Sequence, residues 1–162
     1  MREIRIEPMT SEAFRPFGDV IEAAGTATKL INGGRCERFS DLARLDFDGE
    51  GRAGISVFRS EAVTLPHLLD LLERHPDGGQ AFLPLSADPF LVIVAPDDGG
   101  RPGLPRAFLT VPGQGVNYHR GVWHGVLTPL VQASLFAVVD RIGPGANLEE
   151  FRLAGPYLIV AG

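Results

Sequence analysis

Turn-forming residues interrupt this chain roughly every ten positions, which leaves room between them for short strands and for little else. The 20 glycines and 13 prolines of its 162 residues are spread along the whole length rather than clustered. Between them, polar and apolar residues alternate with period two over residues 2–7 and 52–59, the mark of half-buried strands, and 132–141 is the clearest late strand. Residues 18–22 and 106–111 read as further strands, and 61–65 prolong the β character of the segment before them. Residues 81–85 and 90–95 are apolar runs divided by Ser86-Ala87-Asp88-Pro89. The longer run is far below the ~20 apolar residues of a membrane helix. Residues 96–105 form a Gly- and Pro-rich loop, and 157–160 an apolar last strand suited to pairing with a neighbouring subunit. The expectation is one all-β domain, sandwich or barrel, over residues 1–162.

Helical signals are few. Thr10 or Ser11 caps a short helix that Pro16 stops. Asn147-Leu148-Glu149-Glu150-Phe151 reads as one capped helical turn with acids at its dipole-favoured end. Residues 67–74 fit two descriptions. Pro66 at a first helical position and leucines at i, i+3 and i+4 suit a two-turn helix, and local propensity favours it. As a strand, the same residues put His67, Leu69, Leu71, Glu73 and His75 on one face. Asn32-Gly33 carries hairpin-turn chemistry.

A net charge of −5 with no polybasic run excludes nucleic acid as a natural partner. An anionic ligand would need a local group of Arg, His or backbone N–H donors. Cys36 is the lone cysteine, so no intrachain disulfide forms and a reducing cytoplasm is the expected compartment. The alternating N-terminus is not a signal peptide, and no segment reads as a membrane span.

Chemistry concentrates in Gly113-Gln114-Gly115-Val116-Asn117-Tyr118-His119-Arg120-Gly121-Val122-Trp123-His124. It holds two of the four histidines and the only tryptophan. Two strands that each bring one imidazole to a shared interior point can hold a metal ion or a proton-transfer pair. The unit His119-Arg120-Gly121-Val122-Trp123-His124 resembles the second signature of the cupin superfamily, with His119 where proline is usual. Glu73-Arg74-His75-Pro76-Asp77-Gly78-Gly79-Gln80 resembles the first, with Glu73 for a histidine and Gln80 for the glutamate. The resemblance implies a cupin-like double-stranded β-helix (jelly-roll) barrel with a few short helices, and residues 67–74 as a strand. It also implies a divalent metal on His75, His124, Gln80 and Glu73, or a metal-free pocket, since two of the usual ligands are replaced.

Nearly the whole chain is similar to the ureidoglycolate lyase family, once named ureidoglycolate hydrolase. The likeness runs through residues 14–21, 31–34, 73–76, 80–85, 89–92, 113–124 and 139–141. It implies cleavage of (S)-ureidoglycolate to glyoxylate and urea in allantoin and purine degradation, by a homodimer. Breakdown of such a carbinolamine needs a base for the hydroxyl, an acid for the leaving nitrogen and a cradle for the carboxylate. His75, His124, Gln80 and Glu73 are the expected catalytic group. Tyr118, His119 and Arg120 are expected at the rim, and Asn32, Gly33 and Gly34 at the ureido group. Trp123 is expected in the core or at a dimer interface, and Asp140-Arg141 either as a strand-end ion pair or as part of the site. Two alternatives stand beside this: an amidohydrolase releasing ammonia and carbon dioxide, and a non-enzymatic cupin that binds a small metabolite.

Overall fold

The computed structural model describes residues 1–162 and consists almost wholly of strands. In chain order they are β1 (Arg2–Pro8), α1 (Ser11–Phe14), β2 (Gly18–Ile21), β3 (Lys29–Ile31), β4 (Cys36–Arg38), β5 (Arg52–Ser60), β6 (His67–Arg74), β7 (Gln80–Pro84) and β8 (Phe90–Ala95). Then come β9 (Asp97–Asp98), β10 (Arg101–Pro102), β11 (Arg106–Leu109), β12 (Gly115–Tyr118), β13 (Trp123–His124), β14 (Thr128–Pro129), β15 (Ser134–Ile142) and β16 (Glu149–Val160). One sheet runs β11-β1-β16-β6-β13-β8-β14, and β11 also pairs with β8, which closes six strands into a mixed barrel. The second sheet runs β2-β12-β7-β15-β5. The all-β class and a barrel consistent with the cupin likeness are therefore both present.

β8 explains how two sheets share one interior. Every residue in it is buried, so its sequence is continuously apolar rather than alternating. Phe90, Val92 and Val94 join a core cluster with Phe82, Val116, Tyr118, Phe136 and Val138 of the five-stranded sheet. Leu91, Ile93 and Ala95 face the other way, into the closed barrel with Leu72, Trp123, Tyr157 and Ile159. The period-two geometry of a strand thus serves two cores from one element. The short helix seals the first core. Thr10 Oγ1 accepts the Ala13 N–H at 3.1 Å as its N-cap, and Phe14 is fully buried edge-on to Phe108.

Residues 67–74 form a strand because their pairing with β13 and β16 outweighs local helix propensity. The same force overturns the helical turn expected over 147–151. Glu149, Glu150 and Phe151 extend opposite Arg74, Glu73 and Leu72, and Phe151 packs edge-on to Trp123. A single turn has a costly nucleus and no comparable packing. Residues 157–160 add to no outside edge: they are paired between β1 and β6 of this chain, with Tyr157 and Ile159 buried. Residues 61–65 lie outside the strands. Asn32, Gly33 and Gly34 carry φ of 56°, 70° and 85° and turn the β3–β4 hairpin, as Asn-Gly chemistry requires.

Candidate active site

Strand registers put the polar groups into two facing rows. In the five-stranded sheet, Tyr118 stands opposite Gln80, and Gln80 opposite Asp140. The next row inward is apolar: Val116, Phe82 and Val138. In the other sheet Glu73 stands opposite His124. His75 follows the end of β6, and its backbone oxygen accepts the Gly121 N–H at 3.0 Å. The site is therefore the polar end of a sandwich interior that is otherwise hydrocarbon.

The rings meet closely. Tyr118 stacks on His124 with centroids 4.2 Å apart and planes 3° from parallel. His75 and His124 are 5.0 Å apart between centroids. His124 Nδ1 donates to the Gly125 carbonyl at 2.9 Å and lies 3.9 Å from Glu73 Oε1. Its proton is thus on Nδ1, and Nε2 keeps a lone pair. That Nε2 is buried and has no hydrogen-bond partner. Burial, and secondarily His75, push the His124 pKa down to about 3. Burial also raises Glu73 above the usual carboxylate range, against the pull of His75. The Tyr118 phenol is raised by burial and by Glu73, so it stays protonated.

A pocket of about 290 Å³ opens over this group, lined by Glu73, His75, Asp140, Arg141, Asn147 and the 143–148 loop. His124, 1% exposed, does not itself line it, and neither do Gln80 or Tyr118; they reach it only through their contacts with His75 and Glu73. Glu73, His75 and His124 bring potential ligand atoms within 4.8 Å of one another. One carboxylate and two imidazoles are a donor set for a borderline divalent cation, and the unpartnered His124 Nε2 is the kind of atom such an ion satisfies. The residues present fit a metal ion once His75 gives up one of its two ring contacts, to the Asn147 carbonyl or to Gln80 Oε1, to free a lone pair.

Of the expected site residues, the structure gathers Glu73, His75, Gln80 and His124. Tyr118 is also gathered, but in the interior rather than at the rim: every residue of β12 is buried, Tyr118 shares its face with Val116, and it is 6% exposed. His119 and Arg120 do not line the pocket. His119 Nε2 binds Asp19 Oδ2 at 3.0 Å, and the Arg120 Nε–H donates to the Pro76 carbonyl at 2.6 Å. Asn32, Gly33 and Gly34 are exposed in the hairpin turn and do not line it either. Trp123 is core, 2% exposed, with the Arg74 guanidinium 4.3 Å over its ring. Asp140 and Arg141 are not paired with each other. Asp140 accepts from Gln80 Nε2 at 3.1 Å, and Arg141 makes a two-point contact with Asp48 at 2.8 and 3.2 Å. Sequence reasoning left Asp140 and Arg141 open between ion pair and site, and missed Asn147 as a pocket residue. Period two from Phe136 and Val138 was the available signal for Asp140.

A family model described as ureidoglycolate lyase matches residues 1–160. The chain is 62% identical over 159 residues to a protein of Rhodobacter capsulatus named ureidoglycolate lyase, covering 98% of this chain and 99% of that protein. It is 55% identical over 160 residues to a protein of the same name from Chelativorans sp., covering 98% and 97%. A protein of Rhizobium meliloti named ureidoglycolate lyase 2 is 50% identical over 160 residues, covering 98% of each.

Proposed function

The chain belongs to the ureidoglycolate lyase family, and from that premise we propose that it cleaves (S)-ureidoglycolate to glyoxylate and urea, a step of allantoin breakdown. The whole chain, residues 1–162, acts as one catalytic domain. The observation that carries the site assignment is the buried, unpartnered Nε2 of His124. A substrate hydroxyl placed against it finds an acceptor whose proton is already fixed on the opposite nitrogen. His124 takes that proton as the carbonyl of glyoxylate forms. The C–N bond breaks, its electron pair goes to the ureido nitrogen, and His75 delivers the proton that completes urea. Gln80 and Glu73 complete the catalytic group, with Gln80 Oε1 3.0 Å from His75 Nε2. Arg141, the cation in the pocket wall, takes the place expected for Arg120 as the carboxylate partner through Nη1 alone, its Nε and Nη2 being held by Asp48. A divalent cation held by Glu73, His75 and His124 would occupy the same His124 Nε2 lone pair, so with metal bound its Lewis-acid polarisation of the substrate hydroxyl would stand in place of His124 as the base.

The protein works as a homodimer in the cytoplasm. Ile55 and Val57 on the edge strand β5 are 78% and 63% exposed, opposite Val139 and Ala137. An apolar outer face on an unpaired edge strand favours a second copy over water. The lone, free Cys36 suits a reducing compartment.

Purified protein given (S)-ureidoglycolate is expected to release urea and glyoxylate in equal amounts. Ammonia with no urea would replace the lyase reading by the amidohydrolase, and binding without glyoxylate would replace both by a binding protein. Light scattering of Ile55→Asp against the parent tests the dimer. A parent that runs as a monomer removes it.

A further inference from the structure

We propose that Asp140 is a positioning residue, which fixes the Gln80 side-chain amide with its carbonyl oxygen turned to His75. This rests on the reading of His75 as a working residue of the lyase site. The Gln80 amide has two unlike ends and two fixed neighbours. Its Nε2 donates to Asp140 Oδ2 at 3.1 Å, and its Oε1 lies 3.0 Å from His75 Nε2. Reversed, the amide oxygen would face a carboxylate oxygen with no proton between them. An ionised carboxylate only accepts, so Asp140 permits one of the two orientations.

The backbone makes this pairing unavoidable. Asp140 and Gln80 are direct partners in the β15–β7 register, and Gln80 is 7% exposed. Water therefore has little access with which to compete for the amide. On the far side of His75, the Asn147 carbonyl accepts from Nδ1 at 2.8 Å. That oxygen is fixed as well: Asn147 is held at a φ of 46°, and its Oδ1 accepts the Asp77 N–H at 2.7 Å. His75 is thus clamped between two acceptor oxygens, one set by a turn and the other by Asp140. Outer partners of this kind change activity or ligand affinity by ~10- to 100-fold when removed.

A polarity swap tests the assignment. In Asp140→Asn the neighbour no longer dictates which end of the amide it meets, and kcat for urea release is expected to fall ~10- to 100-fold with KM within ~3-fold. In Asp140→Asn with Gln80→Glu, the new amide donates to one carboxylate oxygen and the other faces His75, which restores the arrangement. That double variant is expected to recover ~10-fold or more over Asp140→Asn. If Asp140 instead touches the reacting atoms itself, the double variant stays as slow as the single one, and the proposal fails. A second readout needs no turnover. The Gln80 side-chain amide resonances of the resting, ¹⁵N-labelled protein are expected to move on Asp140→Asn. Unmoved resonances overturn the proposal while leaving the lyase reading intact, and absent urea release overturns the lyase reading while the resonances still report the amide.

Discussion

Acid should destabilise the fold through His124, and by an amount that can be worked out. Its pKa is about 3 in the folded protein and 6.5 without the fold. A basic group with a depressed folded value binds a proton in the unfolded chain first. Stability is therefore intact above about pH 6.5 and is lost as pH falls from there toward about 3. Going from pH 7.5 to 5 crosses about 1.5 units of that window, or ~2 kcal/mol at ~1.4 kcal/mol per unit. In a chain of this size that lowers the melting temperature by ~4–8 °C. Other groups titrate nearby. His67, also lowered by burial, adds loss of the same sign. Glu73, raised by burial, works the opposite way, since its folded form takes up a proton first as pH falls. The clean measurement is a comparison with His124→Asn, whose side-chain N–H can still reach the Gly125 carbonyl. Urea melts of both proteins, in chelator at pH 7.5 and 5, should show the parent losing ~2 kcal/mol more than the variant. Parallel losses would refute a neutral, buried His124.

Three further outcomes follow from the same geometry. Phe14→Ala empties a fully buried site between Phe17, Phe108 and Tyr118, and should cost ~3–5 kcal/mol in urea unfolding; a loss below ~1 kcal/mol would mean that α1 is not a core element. Gly18→Ala drives a Cβ into the Asn117 carbonyl oxygen, so it should destabilise the β2–β12 pairing and lower the melting temperature, with no change expected only if β2 sits elsewhere. Zn²⁺ titrated into the chelated protein should bind at one site per chain, and His124→Ala should weaken that binding at least ~10-fold by calorimetry; equal binding by both proteins would place any metal outside this group.

Much of the fold was legible because period two survives in the sequence wherever one face of a strand is buried. Residues 52–59 and 132–141 lie in β5 and β15, give or take a residue or two at each end. What local pattern could not settle was decided by distant partners. Residues 67–74 and 147–151 both carry helical signals, yet Leu72–Arg74 and Glu149–Phe151 are extended as each other's ladder partners, and the rest of β6 pairs with later residues of β16. Either segment alone would be misread, since neither encodes the pairing. The parallel placement of β1 between β11 and β16 is of the same kind: Ile6 meets Ala107 and Ile4 meets Ile159, contacts that no local sequence window contains.

The site divides along the same line. Glu73, His75, Gln80 and His124 were visible because their spacing around two hairpins survives as motif. Orientation was not visible in the motif. His119, Arg120 and His124 lie within six positions, yet the turn at Gly121, φ 78°, separates a buried imidazole from a half-exposed one and an exposed guanidinium. Asp140 sat at the end of a plainly legible strand, on the face of Phe136 and Val138, where the alternation called for another apolar residue. A carboxylate at that position is a local inconsistency, and such positions tend to be functional. Its meaning depends on Gln80, 60 residues away, standing directly opposite. The motif therefore names the groups that do the chemistry, whereas the register names the residue that turns one of them the right way round.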